Sequence, residues 1–362
     1  MMAFEAVWTK TVWETEMMCI RKLAIGALML VAGAAAALAQ TAIKVSYQPA
    51  LYWSLPYFVA SEKGFWAEAG LKPEFSTFPA GAPQVAAAQA KSWDVGGMGS
   101  VPAVLGAARF GIHTIGITND ESKANVLMAR GDKYDATKKD PTIIKGQKIL
   151  LTINSTGDYS VQACLKKWGI AKADVQLVNL AQAQIISAIS SNNGDYAGVW
   201  APNNYTLEEK TGAKLLCSGY DAGAIVPGAL VARSDFAKEH PDLVAKYLTA
   251  YLRAWAWIGA HPKEAREMMK TFYSQGGVEI SAKGMDAEFA DRPVYNLDQQ
   301  MKIMDRSNGK SDVDTWMSNI GEFMKGVGTI PEVPDPKSFI DDSFMKKVAS
   351  DPALRAIATN SQ

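Results

Sequence analysis

The pattern that most restricts the fold is an alternation of short β-rich runs with helical stretches, which runs to about residue 118, restarts at 125 and resumes after 227. Residues 43–47 alternate like a strand. Residues 55–67 read as a helix interrupted at Gly64, 71–78 as a strand, and 83–90 as an Ala-rich helix. A strand over 93–98 runs into Gly99-Ser100 and a helix over 103–109, and 114–118 is strand-like again. Strands and helices at this spacing imply parallel βαβ units, hence an α/β fold of mixed sheets flanked by helices.

The second block begins with a strand over 125–130 and a polar stretch, 131–141, that reads as a loop. Strand 148–153 meets Asn154-Ser155-Thr156-Gly157-Asp158, which opens a helix over 159–168; strand 175–180, helix 185–190, strand 196–200, helix 207–211 and strand 213–217 follow. After Pro227-Gly228, strand 229–232 leads to Ser234, a candidate N-cap for a helix over 235–239. From Pro241, Val244, Tyr247, Leu248, Tyr251, Leu252, Trp255 and Ile258 recur at three- and four-residue steps, the apolar face of a helix that a core must cover. Amphipathic helices over 264–273, 297–304 and 312–327 should pack back on the first block. The order predicts two lobes: residues 40–120 with 228–362, and an inserted lobe of 121–227.

Composition removes several function classes. The 362 residues carry 37 basic and 37 acidic side chains, so nucleic-acid binding has no electrostatic basis. Arg21-Lys22, an apolar run over 23–38 and Ala37-Leu38-Ala39 before Gln40 form the pattern of a cleavable export signal, with translation expected to start at Met17 or Met18. Past that leader only Cys164 and Cys217 remain; they can pair or stay as buried thiols, and spacing does not choose.

No phosphate loop, H-E-x-x-H or C-x-x-C occurs, and His113, His240 and His261 are too scattered for local metal spacing. The tract from Gly96 to Pro102 lacks the glycine a nucleophile elbow needs after its serine, and Pro102 stands where a dinucleotide fingerprint needs its third glycine. Neither catalytic residues nor a metal or other cofactor are expected. What remains is two helix starts directly after strands, at Gly99-Ser100 and at Ser155-Thr156-Gly157. Free backbone N–H groups and the helix dipole make such ends anion sites, and in open α/β sheets they lie at the carboxyl ends of strands, where ligands bind.

Several stretches resemble periplasmic solute-binding proteins of the nitrate/sulfonate/taurine class of ABC importers. They are residues 43–50, Ala60-Ser61-Glu62-Lys63-Gly64-Phe65-Trp66, Asp94-Val95-Gly96-Gly97-Met98-Gly99-Ser100, Asn154-Ser155-Thr156-Gly157 and residues 194–202. Residues 229–236, Pro241-Asp242-Leu243-Val244, Trp255 and His261-Pro262-Lys263-Glu264-Ala265 add to them. The resemblance implies a two-lobed, type II-like binding protein that closes on its solute in the periplasm as a monomer and delivers it to permease subunits served by a cytoplasmic ATPase.

Carried over by position, the family's ligand contacts fall on Gln48, Pro49, Tyr52 and Trp53, on Gly99-Ser100, and on Asn119-Asp120-Glu121. The rest fall on Ser155-Thr156-Gly157 with Asp158, and on Trp200 with Asn203. The helix starts would cradle an anion and Tyr52, Trp53 and Trp200 would wall an organic body. Asp120 and Glu121 would repel a plain anion, so the expected solute also carries a cationic nitrogen, as taurine does. A sensor that engages a receptor, or an enzyme related to pyrimidine-precursor synthesis, is the alternative on the same fold; the latter would need a reactive Lys or His in the cleft.

Overall fold

The first run of the chain comprises strand β1 (Thr41–Tyr47), helices α1 (Leu55–Glu62) and α2 (Phe65–Glu68), β2 (Leu71–Thr77), α3 (Gly81–Ala87), β3 (Val95–Gly99), α4 (Ser100–Phe110) and β4 (Ile112–Asp120). These come from a computed structural model that describes residues 40–362; the expected export signal lies outside the described residues. Among the described residues, no helix is long and apolar enough to cross a membrane. Gly64 divides α1 from α2 because it sits at φ 78°, a left-handed conformation that costs glycine nothing.

The chain then enters a second sheet through β5 (Asn125–Ala129), α5 (Gly131–Lys139), β6 (Lys148–Leu151), α6 (Thr156–Lys167), β7 (Gln176–Asn179), α7 (Gln182–Ser190), β8 (Tyr196–Trp200), α8 (Asn203–Thr211) and β9 (Lys214–Ser218). It returns through β10 (Pro227–Arg233). The first sheet has the order β2-β1-β3-β10-β4 and the second β7-β6-β8-β5-β9. In each sheet one strand runs antiparallel to both its neighbours: β10 between β3 and β4, β5 between β8 and β9. Both sheets therefore share one topology, and the fold is two α/β lobes joined by two crossings.

The crossings lie side by side. Glu121 N donates to Val226 O (2.8 Å), Val226 N to Ser122 Oγ (2.9 Å) and Tyr220 N to Ser122 O (2.9 Å). Asp120 Oδ1 accepts from Ser122 N at 2.8 Å, an Asx turn that starts the first crossing.

The remainder is helical: α9 (Ser234–Glu239), α10 (Pro241–Ala260), α11 (Pro262–Gln275), α12 (Ala282–Asp291), α13 (Leu297–Ile303), α14 (Asp312–Gly326), α15 (Pro336–Phe339), α16 (Ser343–Ser350) and α17 (Pro352–Ala358). The stripe of α10 is core, as its period predicts: Val244, Tyr247 and Leu248 are fully buried. Its tyrosines also fasten the first lobe's inner loops. Tyr247 Oη donates to Gly96 O (2.8 Å) and so must accept from Tyr57 Oη (2.6 Å), while Tyr251 Oη donates to Trp53 O (2.8 Å).

Two expectations are corrected. Residues 131–139 are the helix α5, not a loop. The segment has no apolar stripe to betray it, and it is held from outside: Thr137 Oγ1 bonds Tyr196 Oη (2.8 Å), Lys138 Nζ donates to Leu216 O (2.8 Å), and Lys214 lies over the Tyr134 ring. Ser234 does not cap α9 but is its first residue; Arg233 takes the cap position and Asp235 Oδ1 accepts from Phe236 N.

Cys164 on α6 and Cys217 on β9 are bonded, across 53 residues of chain. Closing a loop of that length restricts the unfolded chain by about 4 kcal/mol. Dithiothreitol should therefore lower the melting temperature of the protein and leave that of a Cys164→Ser/Cys217→Ser variant unmoved; a wild-type melt indifferent to reductant would show that the bond does not form.

Candidate functional site

The carboxyl ends of β3 and β6 face one another across the space between the lobes, and each feeds a helix start. On the first-lobe side Gly99 ends β3 in extended conformation and Ser100 begins α4. The N–H groups of Ser100 and Val101 have no partner within the helix, and Pro102, next in line, has no N–H to satisfy. Ser100 Oγ is buried without a hydrogen-bond partner.

On the second-lobe side Ser155 caps α6, its Oγ accepting from Asp158 N (3.2 Å) and donating to Thr152 O (2.7 Å). That uses up the Ser155 hydroxyl and leaves the Thr156 hydroxyl, which makes no hydrogen bond among the described residues, with the N–H groups of Thr156 and Gly157 as the free donors. Asp158 turns inward instead, accepting from Asn154 N (3.1 Å) and Gln162 Nε2 (2.7 Å); burial pushes its carboxyl above the ordinary range.

The two helix starts nearly touch. A Cβ on Gly99 would lie 2.9 Å from Thr156 Cγ2, closer than side chains pack, so glycine is what lets the lobes approach this far. Between them is a small cavity of about 40 Å³. It gathers seven residues expected in the site: Gln48, Trp53, Gly99, Glu121, Ser155, Thr156 and Trp200.

Trp53 stands against Gly97, where a Cβ would meet its ring at 2.5 Å, and Trp200 stands against Gly157 in the same way at 3.4 Å. The cavity thus has one indole from each lobe. Gln48 is oriented by Gln84. Gln84 Nε2 donates to Gly97 O (2.8 Å) and Ser46 Oγ (2.9 Å), so its Oε1 must accept from Gln48 Nε2 (3.2 Å), and the Gln48 carbonyl oxygen is left as an acceptor.

Glu121 is 6% exposed and lines the cavity. Its Oε1 accepts from Asn119 Nδ2 (2.7 Å) and from two nitrogens of Arg292, Nε at 3.1 Å and Nη2. Arg292 is fully buried and its Nη1 donates to Glu288 Oε2, which also receives the Tyr273 hydroxyl (2.7 Å). Burial pushes the Glu288 carboxyl above the usual range despite Arg292, whereas Glu121 and Glu288 together outweigh burial and hold the Arg292 guanidinium well above its ordinary value.

The other expected residues stand back from the cavity wall. Tyr52 is core, its ring 5.2 Å from the Arg292 guanidinium carbon. Ser100 is buried one residue beyond Gly99, Asn119 lies behind Glu121, and Asp120 is spent on the crossing turn. Gly157 backs Trp200, Asp158 braces the α6 turn from behind, and Asn203 begins α8 after Pro202.

Leu51, Ala80, Gly81, Ala82, Pro102, Thr152, Ile153 and Asn154 complete the wall without having been expected. Ala80 to Ala82 lie on the β2–α3 turn, which the same strand-end rule points to. Arg292 was not expected: its spacing from Glu288 is an ordinary helical ion-pair pattern that gives no sign of its link to Glu121. Among the described residues no group of three or more His, Cys, Asp or Glu could hold a metal ion.

Two α/β lobes of this topology, joined by paired crossings around a cleft with helix starts on both sides, are the architecture of the periplasmic binding proteins. Residues 53–265 match the NMT1/THI5-like family, and the chain belongs to it. A Bacillus subtilis protein named for binding aliphatic sulfonates is 26% identical over 297 residues, 81% of this chain and 84% of that protein. The taurine-binding periplasmic protein of Escherichia coli is 26% identical over 295 residues, 79% of this chain and 88% of its own.

In fold, the periplasmic aliphatic sulphonate binding protein SsuA of Escherichia coli superposes with a TM-score of 0.68 at 17% identity, covering 84% of this chain and 99% of that one. The desulfurization enzyme DSZB shares the fold at a TM-score of 0.61 and 13% identity, over 86% of this chain and 99% of that one.

Substituting Gly99 with Ala should hold the lobes apart at Thr156 and weaken solute binding by about 1–3 kcal/mol. Adding Thr156→Ser, which removes the clashing methyl, should restore part of the loss. Calorimetric titration would measure both; an affinity unchanged by Gly99→Ala would mean that the solute does not need this approach.

Proposed function

We propose that the protein captures a small anion bearing a cationic nitrogen, of the taurine type, by closing its lobes on it in the periplasm and delivering it to the permease of an ABC importer. The observation that carries the reading is the division of polarity around one cavity. Gly99 and Thr156, where two helices start, line it on one side with the donors of those starts, while Glu121 and the side-chain oxygen of Gln48 present acceptors. A sulfonate or carboxylate suits the first and an ammonium the second. Trp53 and Trp200 supply apolar walls and a face for the cation.

Among the relatives, one is named for taurine, a sulfonate that carries an amine, and one for aliphatic sulfonates, which share the anionic group alone.

The test is a thermal-shift screen on protein unfolded and refolded to strip carried-over solute, against taurine, ethanesulfonate, nitrate, amino acids and pyrimidines. Taurine or a similar amine-bearing anion should raise the melting temperature saturably, since a ligand at 100 times Kd adds about 2.7 kcal/mol. Ethanesulfonate and nitrate should do so only at much higher concentration. A response to plain anions equal to that for amine-bearing ones would overturn the zwitterion reading.

A further inference from the structure

The Glu121 carboxylate is held in an unusual way. Three donors converge on its Oε1, two from Arg292 and one from Asn119, and no hydrogen bond engages Oε2 among the described residues. Arg292 follows the last residue of α12, on a part of the chain 171 residues from Glu121, and its guanidinium has no exposed surface. Nothing about packing alone requires a charge there, because a buried ion pair is no more stable than well-packed apolar side chains.

The arrangement does accomplish something a packed apolar residue would not. With one oxygen saturated, the carboxylate cannot swing; with a guanidinium directly behind it, an acid that is 6% exposed has its counter-charge in place before any solute arrives. Glu288, four residues before Arg292, takes the third guanidinium nitrogen and fixes the plane of the fork. Tyr52 covers the group from the α1 side, and Tyr273 donates to Glu288 from α11.

We infer that Arg292 is a specificity-determining positioning residue: it presents Glu121 to the cleft as a fixed carboxylate with one free oxygen, and so makes the site prefer anions that carry an ammonium group over the same anions without one. The inference rests on the amine-bearing solute proposed above and adds the residue that sets the preference.

The test is the ratio of dissociation constants for ethanesulfonate and taurine, which share the sulfonate and differ in the amine. It would be measured by calorimetry on the full chain for wild type, Arg292→Lys, Glu288→Gln/Arg292→Gln, Asn119→Ala and Glu121→Gln. The wild-type ratio should be about tenfold or more, the worth of one charge-assisted hydrogen bond. Arg292→Lys, which keeps the charge and loses the fork, and the double variant, which leaves no unpaired partner at position 288, should each bring the ratio down several-fold while ethanesulfonate affinity stays within about twofold. Asn119→Ala removes the third donor, together with the side-chain bonds to Thr118 Oγ1 and Asp120 O, leaves the ion pairs intact and should lower the ratio less.

Equal losses for both solutes, or an unchanged ratio in the Arg292 and Asn119 variants, would overturn the inference and leave Arg292 a structural residue. If Glu121→Gln also leaves the ratio unchanged, or wild type shows no preference, the failure lies instead with the amine-bearing solute itself.

Discussion

Each sheet is completed by a strand that has just crossed from the other lobe. β10 arrives from the second lobe and inserts antiparallel between β3 and β4; β5 arrives from the first and inserts between β8 and β9. Neither sheet is whole without its crossing strand, so each connection leaves the edge strand of one sheet (β4 or β9) and is anchored inside the other (at β5 or β10). They also bond to each other, through Glu121, Ser122 and Val226. Everything else about the site follows from that constraint. The parallel strands of the two lobes must point their carboxyl ends at a common cleft, and the turns that leave β3 and β6 are brought face to face.

Facing turns would be no more than two ordinary helix starts if their polar groups were all satisfied within the lobe. At α6 many of them are: Ser155 and Asp158 bond the loop and leave few donors over. What is left unspent is a coherent set, the first N–H groups of α4 and α6, the Thr156 hydroxyl, the side-chain oxygen of Gln48 and one oxygen of Glu121. Glycines then decide how close the walls come. Gly97 admits the Trp53 ring and Gly99 admits Thr156. Long-range hydroxyl bonds from α10 hold the Trp53 and Gly96 backbones in place, so the aromatic stripe that reads as core also fixes the geometry of the cleft.

The strands and the longer helices were legible because burial imposes a period on them: β1 alternates and α10 repeats at three and four. The helix α5 was not, since a helix polar on all sides has no stripe, and its partners Tyr196 and Leu216 lie far along the chain. The helix starts at Gly99 and Ser155 were legible through their local chemistry, as was Glu121 through its position at a crossing. The identity of what stands behind Glu121 was not. Arg292 pairs with Glu288 at ordinary helical spacing, but nothing local signals its pairing with Glu121, 171 residues away, or the choice between a bond and two thiols at Cys164 and Cys217. Tyr52, an aromatic at a position expected to contact the solute, is buried and packs beside Trp255 and the Arg292 guanidinium.

The most direct measurement is a crystal structure of the protein grown with taurine. The account predicts the sulfonate at the helix starts of Gly99-Ser100 and Thr156-Gly157, the ammonium within hydrogen-bonding distance of the free oxygen of Glu121, and the carbon chain between Trp53 and Trp200. Taurine bound the other way round, or elsewhere with the cleft left empty, would contradict it.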